Sequence, residues 1–177
     1  MFPVDKPSEF QNEEKKYDFV CFGAVTSEKG IEDVISAFAV VKQQKDNATL
    51  HIVGRSSPAY KRVLRALVSD LDLSSNISFL DYFPLQQDLF EHIAKSRIAV
   101  LPIKIDLIPS TIREAMILKL PVVTYRTSGT PFLNRHGEAV LLSEIGDISM
   151  LAENMLKVLF DSNLRQRLVS NASAVYR

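Results

Sequence analysis

The sequence predicts an α/β domain in which a parallel sheet is covered by helices on both faces. Short runs of β-branched and aromatic residues alternate with longer stretches whose apolar residues recur three or four positions apart, from residue 18 onward. The short runs are almost continuously apolar, which is typical of strands buried on both faces of a parallel sheet. We therefore expect a Rossmann-like, doubly wound domain over residues 18–177, preceded by a polar tail or linker over residues 1–17.

Between the predicted strands lie helical stretches that are long enough for a crossover. The first strand is predicted over residues 19–22, where Phe-Val-Cys-Phe stands. The first helix is predicted over residues 31–43, because Ile31, Val34 and Phe38 fall on one stripe. The last helix is expected to run to the end of the chain, where neither Gly nor Pro stops it. The remaining strands are predicted at 49–53, 77–80, 98–101 and 121–125, with a weaker one at 139–142, and the remaining helices at about 59–71, 86–95, 110–119 and 148–160.

Composition excludes several classes of protein. The chain has 177 residues, 46% of them hydrophobic, which is enough to bury an ordinary core without disulfides. It carries 21 Lys and Arg against 21 Asp and Glu, so it lacks the excess of positive charge that nucleic-acid binding requires. No window approaches about 18 consecutive apolar residues, so we expect no transmembrane segment and a cytoplasmic location.

Cysteine and histidine give no sign of a metal site. Cys21 stands in an apolar run, which predicts a buried thiol. His51, His92 and His136 share no ligand spacing with one another or with Cys21. We therefore predict no metal site.

The loop after the first strand carries two glycines and a lysine. Gly23 and Gly30 permit a tight turn and a close backbone approach, and Lys29 stands next to the start of the first helix, where anions are attracted. This pattern is neither a dinucleotide fingerprint nor a Walker loop. A phosphate site and a plain strand-to-helix turn both remain open from the spacing alone.

The next two loops offer weaker candidates at the same edge of the sheet. Arg55 follows the second strand and contacts either a phosphate or water. Tyr82 and Phe83 follow the third strand, where one ring either stacks on a nucleobase or covers the core.

The loop after the fourth strand is the richest in chemistry. A helix is predicted to begin at Pro109 or Ser110, so the backbone N–H groups near Ser110 and Thr111 offer an anion site. Asp106 and Glu114 add two carboxylates that can accept hydrogen bonds from sugar hydroxyls. The alternative is that Glu114 only complements the helix dipole and Asp106 is a solvated acid.

The order of these segments resembles the donor-binding half of retaining GT-B glycosyltransferases of group 1, the glycogen synthase-like family, over residues 19–172. In that family the first strand leads into Gly-Arg-x-x-x-x-Lys-Gly. Here Gly23, Lys29 and Gly30 fit, whereas Ala24 replaces the arginine. The family lysine and arginine both hold the donor diphosphate, so the resemblance implies that role for Lys29 and the loss of one positive charge beside it.

A second family motif has two acids separated by seven residues, the second in Glu-Ala-Met, followed by a Pro-Val-Val strand. Asp106 and Glu114 occupy these two places here. The resemblance implies that Glu114 binds the ribose hydroxyls, that Asp106 contacts the donor sugar, and that the amides of Ser110 and Thr111 hold the distal phosphate. Residues 128–131 resemble the family's Gly-Gly-x-Pro-Glu, although Phe132 stands where an acid is usual.

The resemblance implies an enzyme that transfers a sugar from a nucleoside diphosphate sugar to a hydroxyl acceptor in glycan or polysaccharide biosynthesis, without metal or cofactor. Its N-terminal acceptor domain, expected in the same full-length chain, is absent here, so these residues should bind the donor without turning it over. The complete enzyme is expected in the cytoplasm or peripherally at the inner membrane. Ala24 and Phe132 motivate an alternative, a degenerate module that serves as a binding or scaffold domain. A third hypothesis is an unrelated flavodoxin-like or Rossmann domain that binds another nucleotide.

Overall fold

The computed structural model describes Phe10, residues 13–105 and residues 107–175. Its centre is a six-stranded sheet in the order β3-β2-β1-β4-β5-β6, with every pair of neighbouring strands parallel. The Rossmann-like, doubly wound fold predicted from the sequence is confirmed. The strands are Tyr17–Phe22 (β1), Leu50–Val53 (β2), Ile77–Leu80 (β3), Ser96–Leu101 (β4), Val122–Tyr125 (β5) and Val140–Ser143 (β6).

Helices cover the two faces of this sheet. α1 packs against α2 and α5, whereas α4 packs against α6. Two short 3-10 helices, Ser27–Lys29 and Thr130–Asn134, follow β1 and β5. The α-helices are Ile31–Gln44 (α1), Pro58–Asp70 (α2), Gln86–Ala94 (α3), Ser110–Ile117 (α4), Ile148–Phe160 (α5) and Ser162–Val175 (α6).

Two boundaries differ from the sequence prediction. β1 begins at Tyr17, inside the predicted tail, because the amides of Lys16 and Tyr17 donate to the carbonyl of Lys95 at 2.7 and 3.2 Å. The last helical region is divided at Asp161, which takes an extended conformation and accepts a hydrogen bond from the Leu164 amide at 2.9 Å. The helix predicted over residues 148–160 therefore ends where it was expected to, and the helical stretch expected to run to the end of the chain is a separate helix, which Asp161 starts.

The strand order fixes where a ligand can bind. β1 pairs with β2 on one side and with β4 on the other, so the chain reverses its direction across the sheet between β1 and β4. In doubly wound sheets a crevice opens at this reversal, beyond the carboxyl ends of the two strands. The loops that follow β1 and β4 are therefore the first place to look for a site. In the described part of the chain, no helix combines the length and apolar character needed to cross a bilayer.

Candidate functional site

A cleft of about 670 Å³ opens between the carboxyl ends of β1 and β4. One wall is the end of β1 with the loop that follows it, and the opposite wall is the end of β4 with its loop. The N-terminus of α4 closes a third side. The lining residues include Gly23, Ala24, Lys29, Ile105, Leu107, Ser110 and Thr111.

Four residues predicted for a phosphate site meet in this cleft. Gly23 and Lys29 line it from the β1 side, and Ser110 and Thr111 line it from α4. Gly23 has φ +117° and lies so close to Thr111 that an added Cβ would stand 3.1 Å from the threonine methyl carbon. The sequence separates these two residues widely, and the reversal of strand order brings them together.

The N-terminus of α4 is built to attract an anion. Pro109 is the residue before the helix, and no side chain caps the amides of the first turn. Such amides and the helix dipole together favour negative charge, and Lys29 adds a full positive charge to the same cleft. The arrangement can hold a phosphate group between a lysine and backbone donors.

Glu114 lies on α4 but is not part of the cleft lining. It is half-buried, and burial raises the pKa of its carboxyl above the ordinary value, opposed by the positive charge of Arg113. A carboxylate that is partly shielded from water accepts hydrogen bonds more strongly than an exposed one. Glu114 follows Ser110 and Thr111, which line the cleft, by about one turn of the same helix.

Gly30 packs against the loop after β4 and is not among the residues that line the cleft. Its φ is +71°, and an added Cβ would stand 2.3 Å from the carbonyl oxygen of Pro102. The backbone after β1 and the backbone after β4 are therefore packed against each other at this point. This packing requires a glycine at position 30, and the predicted contact between Gly30 and a ligand stays a prediction.

Arg55 and Tyr82 line a second, smaller cavity of about 310 Å³. The guanidinium carbon of Arg55 lies 3.9 Å from the centre of the Tyr82 ring. Gly23 and Ala24 line both this cavity and the cleft, so the two spaces share one wall. Arg55 is not among the residues that line the cleft, and its charge lies against an aromatic face, as in cation–π pairs. Its predicted phosphate contact stays a prediction.

Neither Arg55 nor Arg126, which follows β5, lines the cleft, so neither supplies there the positive charge of the arginine that Ala24 replaces. Arg55 stacks on Tyr82, and the Nε of Arg126 pairs with Glu144 at 3.0 Å. Asp106 lies outside the described residues, so its predicted contact stays a prediction. Its neighbours Ile105 and Leu107 are exposed and line the cleft.

Sequence reasoning missed an ion pair between a half-buried lysine and a buried aspartate. Lys104, in the loop after β4, places its Nζ 3.2 Å from the Oδ2 of Asp33 on α1. The hydroxyl of Tyr125, at the end of β5, donates to the same oxygen at 2.7 Å. No local pattern signals this cluster, because its members come from three separate segments.

Sequence reasoning also missed a contact between His51 and His92. The Nδ1 of His51 on β2 lies 3.0 Å from the Nε2 of His92 on α3. Burial, together with the neighbouring His92, lowers the pKa of His51 to about 4. No group of three or more His, Cys, Asp and Glu residues in residues 13–105 and 107–175 is arranged to hold a metal ion.

Cys21 lines the cleft but offers no nucleophile. It is buried, and burial raises the pKa of its thiol to about 12. The thiolate is the reactive form of cysteine, so the side chain stays inert at neutral pH.

Comparison with known proteins gives this geometry a context. The sequence profile of the family described as glycosyl transferases group 1 matches residues 5–175. The N-acetyl-alpha-D-glucosaminyl L-malate synthase of Bacillus anthracis is 28% identical over 144 residues, which cover 81% of this chain and 36% of that protein. The capsular polysaccharide biosynthesis glycosyltransferase CapM of Staphylococcus aureus is 24% identical over 160 residues, covering 84% and 38%. The chain thus spans little more than a third of the length of these two relatives.

Solved structures share the fold. The C-terminal domain of LpcC, a glycosyl transferase group 1 family protein of Francisella tularensis, superposes with a TM-score of 0.81 at 20% identity, over 98% of this chain and 92% of that one. HepE of Anabaena, determined in complex with UDP and glucose, superposes with a TM-score of 0.80 at 23% identity, over 91% of this chain and 43% of that one.

Proposed function

This chain belongs to the glycosyl transferases group 1 family, and on that premise we propose that it binds the nucleotide-sugar donor of a retaining glycosyltransferase. The observation that carries the proposal is the meeting of Lys29 with the N-terminus of α4 in one cleft at the reversal of strand order. A lysine and helix-terminal amides together suit the diphosphate that joins nucleoside and sugar.

In the proposed reaction the bond between the anomeric carbon and the diphosphate oxygen breaks. A bond from the acceptor hydroxyl oxygen forms on the same face of the sugar, and the acceptor proton passes to the departing phosphate oxygen. The departing nucleoside diphosphate takes the electron pair, so negative charge grows on its phosphate oxygens. Lys29 and the amides of Ser110 and Thr111 would stabilise this charge, so the step requires no metal ion.

The remaining parts of the donor are assigned from the resemblance and from the shape of the site. Glu114 would accept hydrogen bonds from the ribose hydroxyls, and Asp106 would contact the sugar. The cavity beside Arg55 and Tyr82 has an aromatic side and shares a wall with the cleft, so it is the proposed place for the base. An N-terminal domain of the same protein would bring the acceptor.

Thermal melting with a panel of nucleotides tests this proposal. The chain is titrated with UDP, GDP, ADP and the corresponding monophosphates, with and without EDTA. At about 100 times its dissociation constant a bound diphosphate adds about 2.7 kcal/mol of stability, which raises the melting temperature by about 5–10 °C in a domain of this size. We expect one diphosphate to give this rise, equally in EDTA. No shift with any of the diphosphates would contradict the proposal.

The degenerate-module alternative has one observation in its favour. The ring of Phe132 is 55% exposed, and the guanidinium carbon of Arg135 lies 3.9 Å from its centre, so this position supplies no carboxylate. Ala24 likewise supplies no charge. Sugar transfer by the full-length protein separates the two proposals, because the alternative is a module that has lost catalysis.

A further inference from the structure

The loop after β4, described over residues 102–105 and 107–109, contributes one wall of the cleft. Ile103 and Pro109 are buried near its two ends, whereas Ile105 and Leu107 in its middle are 67% and 66% exposed. Burial of apolar side chains therefore fixes the ends of the loop but does little to fix its middle. Polar contacts must hold this exposed middle at its distance from Lys29 on the opposite wall.

Lys104 ties the loop to the opposite wall. Its backbone amide donates to the carbonyl oxygen of Glu28 at 3.0 Å, next to Lys29 in the chain. Its Nζ reaches the Oδ2 of Asp33 at 3.2 Å. One residue therefore bonds to the segment that carries Lys29 through both its backbone and its side chain.

The acceptor of this ion pair is itself fixed. Asp33 is only 9% exposed and lies in the first turn of α1. The hydroxyl of the fully buried Tyr125 donates to its Oδ2 at 2.7 Å. A carboxylate held by a buried tyrosine gives the flexible lysine a rigid anchor.

Thr127 holds the other end of the loop. Its Oγ1 donates to the carbonyl oxygen of Leu107 at 3.1 Å. Gly129 packs against the same oxygen, since an added Cβ would stand 2.5 Å from it. The loop is thus gripped between the segment after β1 and the segment after β5.

We propose that Lys104 and Thr127 are positioning residues of the cleft, which fix the β4 loop between the segments that follow β1 and β5 and so set the width of the site. This proposal rests on the function proposed above. Lys104 acts through geometry and not as a phosphate ligand: its charge is paired with Asp33, and it is not among the residues that line the cleft.

The experiment compares Lys104→Met with a matched control at the far edge of the sheet. Lys45 pairs with Asp18 at 2.9 Å, and its side chain is 30% exposed against 31% for Lys104. Lys104→Met and Lys45→Met each break an ion pair with a largely buried carboxylate, but only Lys104 belongs to the loop after β4. Lys104→Arg and Thr127→Ser serve as conservative rescues of Lys104→Met and Thr127→Val.

Two quantities are measured on each variant, both well below its melting temperature. Hydrogen exchange of residues 102–109 in the ligand-free chain reports whether the loop is held. Calorimetry gives the dissociation constant of whichever of UDP, GDP and ADP raises the melting temperature of the unaltered chain most.

We expect Lys104→Met and Thr127→Val to speed exchange in the loop and to raise the dissociation constant by about ten- to a hundredfold. Lys45→Met should do neither although it lowers the melting temperature, and the two conservative variants should restore both quantities. Unchanged exchange in the loop, or faster exchange with an unchanged dissociation constant, would overturn the positioning role. Failure of the unaltered chain to bind any of the three diphosphates would overturn the proposed function and the role within it, and the exchange data would still show whether the loop is held.

Discussion

Lys29 supplies most of the positive charge of the proposed site. With Ala24 in place of the family arginine, and with Arg55 and Arg126 engaged elsewhere, it is the cation that both the family motif and the lining of the cleft single out. The amides at the start of α4 also attract the phosphate, but a helix terminus contributes only a fraction of a unit charge.

Lys29→Ala should therefore remove the preference for diphosphate over monophosphate. A hydrogen bond to a charged group is worth about 1.5–3 kcal/mol, which corresponds to about ten- to a hundredfold in affinity. Calorimetric titration with a diphosphate and its monophosphate measures the preference. Lys157→Ala, on the exposed side of α5, is the control and should keep it. Equal discrimination by Lys29→Ala and the unaltered chain would remove Lys29 from the site.

Glu114 should make nucleotide binding depend on pH. Burial raises the pKa of its carboxyl, so the group takes up a proton at a higher pH than an ordinary glutamate does. In the proposed site the ionised form would accept hydrogen bonds from the ribose hydroxyls, so nucleotide affinity should fall as the pH is lowered toward this pKa.

Glu114→Gln should bind about tenfold more weakly at neutral pH and should lose that part of the pH dependence. Dissociation constants at neutral and mildly acidic pH measure both effects. Glu153→Gln, which alters an exposed carboxylate on α5, should leave them as they are. A glutamine variant at position 114 with the affinity and pH profile of the unaltered chain would show that the ribose lies elsewhere.

At the level of elements, the break between α5 and α6 shows how one side chain ends a helix and starts the next. The carboxylate of Asp161 accepts from the Leu164 amide at 2.9 Å and so caps α6. Asp161→Ala should cost about 0.5–2 kcal/mol of unfolding free energy, or about 1–8 °C in melting temperature. Asp70→Ala, at the exposed end of α2 where an acid caps nothing, is the control and should cost nothing. Denaturant unfolding of the two variants measures the difference, and equal stabilities would contradict the capping role.

The elements could be predicted from the sequence because the signals that form them are local. Strand β3 and helix α5 were predicted with the bounds that the structure shows, since an apolar run and a stripe of apolar residues are each legible within one segment. The loops that form the two walls of the cleft could be predicted as well, because ligands bind beyond the carboxyl ends of the strands in a doubly wound sheet.

Contacts between residues that are far apart in the sequence could not be predicted in this way. Asp33 and Tyr125 are 92 positions apart, and His51 and His92 are 41 apart. No periodicity or motif joins such residues, because their meeting depends on how the elements pack. The packing role of Gly30 against Pro102 was hidden for the same reason.

For the molecule as a whole, the two histidines should make stability depend on pH. In the folded chain the pKa of His51 is lowered to about 4 by burial and by His92, from an ordinary value of 6.5. Between these two pKa values the unfolded chain therefore binds a proton at His51 that the folded chain does not bind. Stability should fall as the pH drops from about 6.5 to about 4.

His51→Gln tests this dependence. The amide keeps a hydrogen-bond partner for His92 but does not titrate, so the melting temperature should fall less between pH 7 and pH 5 than it does in the unaltered chain. His136→Gln changes an exposed histidine and should follow the unaltered chain. Parallel curves for all three proteins would show that the buried pair is not the source of the dependence.

A crystal structure of the chain with the diphosphate that raises its melting temperature most tests the proposed site directly. We expect the two phosphorus atoms between the Nζ of Lys29 and the amides of Ser110 and Thr111. At the opposite edge of the sheet a cavity of about 250 Å³ is lined by Lys15, Arg97, Lys119 and Arg165. Phosphates bound in that cavity, with the cleft beyond β1 and β4 left without nucleotide, would contradict the proposed function.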